Sequence, residues 1–255
     1  MTWGHDAQML KKWVEDIGRA GAPARLWMRA LLAGWLLSGL NCALADAGQA
    51  LRPALGTRAE EIAECRPGEL RTWGDGADHA AGVRALRFAY RHEGAPAWFT
   101  AQQVREALQR AAHAWSGCGI DAALADQAPP AEGDTVSIAV AWDDVGSAGN
   151  FGLARVGEHR LMLGPAAFAL LRQRNPTHPA LQTLQMVISH EMGHFFGLMA
   201  HSRRCVDVMS YYTDGKGGRC SVRDPAALVG VPEYRSVLPT ACDIERCRRL
   251  NPPLR

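Results

Sequence analysis

No internal repeat and no low-complexity tract occurs in the 255 residues, so repeat architectures and disordered chains are set aside. Runs of like charge are missing too. The formal net charge is +2, and residues 1–45 carry five Lys or Arg against three Asp or Glu, so the remainder sums to zero. A balanced chain without a basic run offers no electrostatic footing for nucleic acid or an anionic membrane surface. Nor does the apolar stretch at residues 30–45, "ALLAGWLLSGLNCALA", reach the roughly 20 residues that span a bilayer. What is present is 47% apolar and 21% charged residues, enough for a sizeable core in one domain, or in one domain with an appendage.

The 30–45 stretch follows Arg25 and Arg29 and ends in Ala43-Leu44-Ala45, an A-x-A pattern fit for signal peptidase. Residues 1–45 are therefore expected to be a signal peptide cut after Ala45. The product is an exported protein, extracellular or periplasmic, with no stable membrane association. A lipid tether on Cys42 is disfavoured by the bulky Asn41 before it and by the missing leucine three residues upstream. Cleavage leaves six cysteines: Cys65, Cys118, Cys205, Cys220, Cys242 and Cys247. An even count in an oxidising compartment predicts up to three disulfides, whose pairing spacing alone does not select.

Residues 46–83 read as an N-terminal extension strapped to the main domain. They carry a short helix over Thr57 to Glu64 and a glycine-rich break at "WGDGADHAAG". From residue 84 to 255 the pattern is that of one α+β domain. "ALRFAYRH" (85–92) alternates as a strand with one buried face. Thr100 and Gln103 form a capping-box signature, and Val104, Leu108, Ala111 and Trp115 follow at helical spacing. "DTVSIAVAW" (134–142) is a strand, "GNFGLARVG" and "HRLMLG" are two shorter ones, and "AAFALLRQRN" is a short helical or irregular link. Leu184, Val187, Ile188, Phe195 and Leu198 mark a helix over Ala180 to Gly197, and "TACDIERCRRL" (240–250) closes the chain as another.

The stretch "VISHEMGHFFGLMAHSRRCVDVMSYY" (187–212) carries the chemistry. On a helix, His190 and His194 lie one turn apart on one face and can present two imidazoles to one tetrahedral zinc ion. Glu191 is rotated from the first ligand by about 100°, close enough to reach a water at the metal without occupying it. An H-E-x-x-H pattern also arises by chance in ordinary helices, so the downstream residues matter. Gly197 falls where a helix can end in a left-handed conformation that glycine adopts cheaply. Had the helix continued, His201 would rise roughly 10.5 Å above His194; a reversal at Gly197 brings it back as a third ligand. Met209 and Tyr211 follow. His79, His92, His113, His159 and His178 show no comparable spacing and read as surface or supporting residues.

With these residues the sequence resembles the metzincin zinc endopeptidases, most closely their bacterial, matrixin-like members. Their pattern is H-E-x-x-H-x-x-G-x-x-H followed by a Met-turn, and His190, Glu191, His194, Gly197 and Met209 fit it over a resemblance that covers roughly residues 84–250. The resemblance implies a zincin fold: a twisted mixed sheet, a long helix, a zinc-site helix, then a Met-turn and a C-terminal helix. The family spacing would put the third ligand at Ala200, and His201 comes one residue late, so Met199 or Ala200 is read as an insertion. Asp207 has a rival claim, because related snapalysin-like enzymes use an aspartate; Tyr211, Glu233 and Glu245 are weaker candidates. The structural zinc and calcium segment of vertebrate matrixins is not recognisable around Asp143 to His159, so one catalytic Zn²⁺ is expected and calcium is left open.

The implied activity is hydrolysis of peptide bonds in a protein or peptide substrate, with Glu191 as general base. Tyr211 stands where astacin-like and serralysin-like relatives place a tyrosine that stabilises the transition state; its other reading is a core aromatic beneath the Met-turn. "FGLARV" (151–156) is the candidate rim on which an extended substrate adds as a strand. Cys205 and Cys220 bracket the Met-turn and are natural candidates to brace it. Cys65 as a latency thiolate is disfavoured, since its neighbours do not match that motif. The competing reading is a secreted zinc- or peptide-binding module of the same fold that has lost catalysis; retention of Glu191 speaks against it.

Overall fold

The computed structural model describes residues 56–126, 133–229, 231 and 233–252. The expected leader at 1–45, with Cys42, and residues 46–55 lie outside them. The described chain is α+β, built on a five-stranded mixed sheet. In chain order the elements are α1 (56–63), then β1 (Ala85–Tyr90), α2 (Ala101–Trp115), β2 (Asp121–Ala125), β3 (Thr135–Trp142), β4 (Gly152–Arg155), β5 (Arg160–Leu163), α3 (Pro165–Arg174), α4 (Ala180–Phe195) and α5 (Ala241–Leu250). The strand order is β2-β1-β3-β5-β4; β4 alone runs antiparallel, against β5 at the edge.

Local chemistry accounts for most of these elements. The hydroxyl of Thr100 accepts from the amide of Gln103 while the Gln103 side chain accepts from the amide of Thr100, so α2 starts with two of its orphan donors satisfied. Thr240 and Asp243 do the same for α5. Along α2, Val104, Leu108, Ala111 and Trp115 are buried and His113 faces solvent. In β3, Ile138, Val140 and Trp142 are buried while Ala139 between them is exposed.

β2 has no strand signal in its sequence, "DAALA", which is alanine-rich and carries no β-branched residue. Its conformation is imposed by parallel pairing with β1, in which Ala85 faces Asp121 and Ala89 faces Ala125. Helices α2 and α4 pack on each other, α2 toward β2 and α4 toward β4. Their contact is bolted by polar groups: Gln185 donates to the carbonyl of Ala107, and the indole of Trp115 donates to the carbonyl of Ser189. Phe88, Ile138, Val140, Leu161, Leu163, Leu184 and Ile188 are fully buried in this core, each stabilising the fold by about 1.5–3 kcal/mol.

After α4 the chain forms little regular structure until α5. A smaller cluster of Cys205, Val206, Ala227 and Tyr234 sits there, and three disulfides close the molecule: Cys65–Cys242, Cys118–Cys247 and Cys205–Cys220. The last brackets the segment around Met209. Cys65 is therefore bonded to Cys242, which removes it as a thiolate. No helix among the described residues is long and apolar enough to cross a membrane.

Candidate metal centre

Helix α4 places His190 and His194 on one face, with His201 returned to them by the turn that follows. That turn is a Schellman motif: the amide of Leu198 donates to the carbonyl of Gly193, and the amide of Gly197 to that of His194. Gly197 has φ +91°, and a Cβ there would lie 1.9 Å from the carbonyl oxygen of His79. Any larger residue would be strained at that φ and would clash with the segment beneath it.

The three imidazoles form a near-equilateral triangle, with ring centroids 5.0, 5.2 and 5.3 Å apart. One nitrogen from each falls within 4.8 Å of the others. Nδ1 of His190 lies 2.7 Å from the carbonyl oxygen of Val208, Nδ1 of His194 lies 2.7 Å from that of Leu198, and Nδ1 of His201 lies 2.7 Å from a carboxylate oxygen of Asp75. All three partners can only accept, so each Nδ1 carries the proton and each Nε2 presents a lone pair.

Nε2 of His190 and Nε2 of His201 stand 3.2 Å apart. Two lone pairs at that distance repel unless a cation sits between them. Two nitrogens bound to one tetrahedral zinc stand about 3.3 Å apart. The donor set therefore fits zinc in kind and in tautomer, and the His190–His201 pair fits it in separation as well. Burial, reinforced by the neighbouring His201, pushes the His194 imidazole down to about 3; burial, then His201 and His194, hold His190 well below the usual imidazole range. Both rings are neutral near pH 7, as metal ligands must be.

Glu191 is buried beside the triangle. Its Oε2 accepts from the amide of Ala154 on β4 at 2.7 Å, which ties the carboxylate to the antiparallel edge strand. The approach is close: a Cβ at Gly152 would lie 2.6 Å from Cγ1 of Val187 and 2.8 Å from Cγ of Glu191. Met209 is fully buried under α4, and a Cβ at Gly193 would lie 2.3 Å from its sulfur. The ring of Tyr211 stacks on His201 with centroids 3.8 Å apart, so this tyrosine borders the triangle.

The rival ligands are engaged elsewhere. Asp207 accepts from Ser202, Arg204 and Thr240 inside the protein, and burial together with the adjacent Asp243 pushes its carboxyl up to about 7. Glu233 pairs with Arg235 and Tyr212, and Glu245 with Arg249.

Two residues of the centre have no signal in the sequence. Asp75 accepts from both the amide and Nδ1 of His201. Asp78 accepts from the amides of Met199 and Ala200 and is ion-paired with Arg246. Burial works against ionisation of both carboxyls, and their contacts with His201 and Arg246 outweigh it, so both lie below the usual carboxylate range. Both come from "WGDGADHAAG", whose glycines read as a break. No periodicity connects that stretch with a loop more than 120 residues later.

No protein-family model and no curated protein matches the chain.

Proposed function

We propose that the chain is a secreted zinc-dependent endopeptidase of the metzincin type, matrixin-like in its ligand segment. The observation that carries this reading is the convergence of three Nδ1-protonated imidazoles, His190, His194 and His201, beside a carboxylate pinned to the sheet's edge strand. A structural site has no use for Glu191 at that place. Met209 beneath Gly193 and the antiparallel edge strand β4 agree with the Met-turn and substrate rim of the resemblance. The three disulfides agree with export.

His190, His194 and His201 would hold the ion through their Nε2 atoms. When bound, zinc supplies Lewis acidity that makes water nucleophilic near neutral pH. The chain's own residues do the rest. An extended peptide adds along β4 and is aligned by backbone hydrogen bonds, with its scissile bond over the triangle. Glu191 takes a proton from the attacking water on a carboxylate oxygen and delivers it to the departing amine nitrogen. The hydroxyl of Tyr211, on a ring stacked against His201, is the candidate donor to the developing oxyanion.

The test uses a mixed peptide library with the mature protein. Cleavage should stop with a chelator and return with zinc. Glu191→Gln should keep its zinc and lose activity by about 100-fold or more. Activity of Glu191→Gln within severalfold of wild type would remove the assigned base, and a wild-type chain that binds zinc without cleaving any peptide would favour the silent binding module.

A further inference from the structure

The third imidazole stands on a loop one residue longer than the related pattern allows, and the loop is held from outside the sheet domain. Residues 71–79 run alongside residues 197–203: the amide of Arg203 donates to the carbonyl of Arg71, that of Trp73 to His201, and that of His79 to Gly197, with a bridge between Thr72 and Ser202. A Cβ at Gly76 would lie 2.3 Å from the carbonyl oxygen of Met199, so the two segments touch backbone to backbone.

Within this zipper Asp75 grips His201 at two atoms, through its amide at 2.9 Å and its Nδ1 at 2.7 Å. Asp78 takes the amides of Met199 and Ala200, both at 2.9 Å, on a single oxygen. Arg246 of α5 completes the clamp by donating to Asp78 and to the carbonyl of Ala200. The extra residue is one of the two, Met199 or Ala200, whose amides Asp78 collects.

We propose that Asp75 and Asp78 are positioning residues of the metal centre. Asp78, with Arg246, folds the extra residue of the loop into a fixed turn. Asp75 then sets the tautomer and the orientation of the His201 ring, so that its Nε2 faces those of His190 and His194. The inference rests on the zinc reading of the site. It makes residues 71–79 part of the centre, supplying what the other two imidazoles obtain from backbone carbonyls. Outer partners of metal-bound histidines commonly contribute 10- to 100-fold in affinity.

The experiment is competition for zinc against a chromophoric chelator, with the full mature chain. Asp75→Asn keeps an oxygen for the His201 amide and loses the carboxylate charge; its zinc affinity should fall by about 10- to 100-fold. Asp78→Asn should also weaken binding. In a His201→Ala background neither substitution should weaken it further, because each acts through that ring. A merely structural role would lower affinity equally in both backgrounds, and that result overturns the proposal. So does a loss of less than about threefold in Asp75→Asn while wild type binds zinc tightly; the zinc reading then survives. A wild-type chain that fails to compete for zinc at all removes that reading and this inference with it. A measurement free of any substitution stands beside these. Long-range ¹H–¹⁵N NMR of the metal-free wild-type protein should show the His201 ring protonated at Nδ1, and a ring protonated at Nε2 contradicts the assignment.

Discussion

Between Ala85 and Phe195 the chain is held by burial: a sheet, two packed helices and a continuous apolar core. Between Gly197 and Thr240 the described residues have one short 3₁₀ turn, Pro225–Leu228, and isolated bridges. Residues 56–83, which lie against that second region, contribute a short helix and little else that is regular. Here charged groups are buried in place of a large core. Arg204 is ion-paired with Asp207 and donates to the carbonyl of Glu61, Arg235 is paired with Glu233, and Arg246 with Asp78. The Cys65–Cys242 bond fastens the N-terminal segment to α5. The candidate metal centre lies on the seam between the two. His190, His194 and Glu191 belong to the apolar half, while His201, Met209, Tyr211 and Asp75 belong to the half built from disulfides and ion pairs.

The two halves should fail by different means. The largest expected effect is removal of the Cys65–Cys242 bond, by Cys65→Ser together with Cys242→Ser. It closes a loop of 177 residues, so its loss should cost about 4–5 kcal/mol, against about 3 kcal/mol for the bond between Cys205 and Cys220, 15 residues apart. Chemical denaturation followed by circular dichroism measures both. Equal losses would mean that the longer tether is not what secures residues 56–83.

The apolar half should respond to cavities instead. Ile138 is fully buried in the centre of the sheet, and Ile138→Ala should cost about 3 kcal/mol with disulfides and zinc site intact in the folded fraction. At the seam, Gly193→Ala forces a methyl group against the Met209 sulfur and Trp115. The expected cost is about 1–3 kcal/mol, and zinc affinity should fall with it. A Gly193→Ala protein of unchanged stability and unchanged affinity would separate Met209 from the site.

How far the sequence showed all this divides along the same line. Helix α2 announces itself by Thr100 and Gln103, β3 by its alternation, and α4 by the apolar spacing around His190 and His194. These signals are local, and physics acts on them locally. β2 carries no such signal, because alanine has no strand preference and only pairing with β1 makes "DAALA" extended. The disulfide partners were open for the same reason: pairing is a property of the folded path. Asp75 and Asp78 give no local signal because their meaning lies in amides at residues 199–201. Two carboxylates in a glycine-rich stretch look like a solvated turn until the loop that they serve is in place.

The smallest effect concerns pH. Glu69 is held down to about 2, chiefly by its hydrogen bond with Arg223, with burial opposing. Its carboxyl ionises more readily in the folded than in the unfolded chain, whose value is 4.5, so the stabilisation is present above about pH 4.5 and is lost as pH falls toward 2. Melting temperature should drop by a few degrees across that window beyond the loss seen in Arg223→Gln. Parallel curves for the two proteins would show that this pair does not secure the N-terminal segment.

In the proposed enzyme one zinc ion is shared by imidazoles from both halves. X-ray absorption at the zinc edge, on protein whose metal content has been measured, reads it directly. The expected result is one zinc per chain with three imidazole nitrogens at about 2.0–2.1 Å and no sulfur, and one imidazole fewer in His201→Ala. A wild-type spectrum with only two imidazoles, or one that is unchanged by His201→Ala, would contradict it.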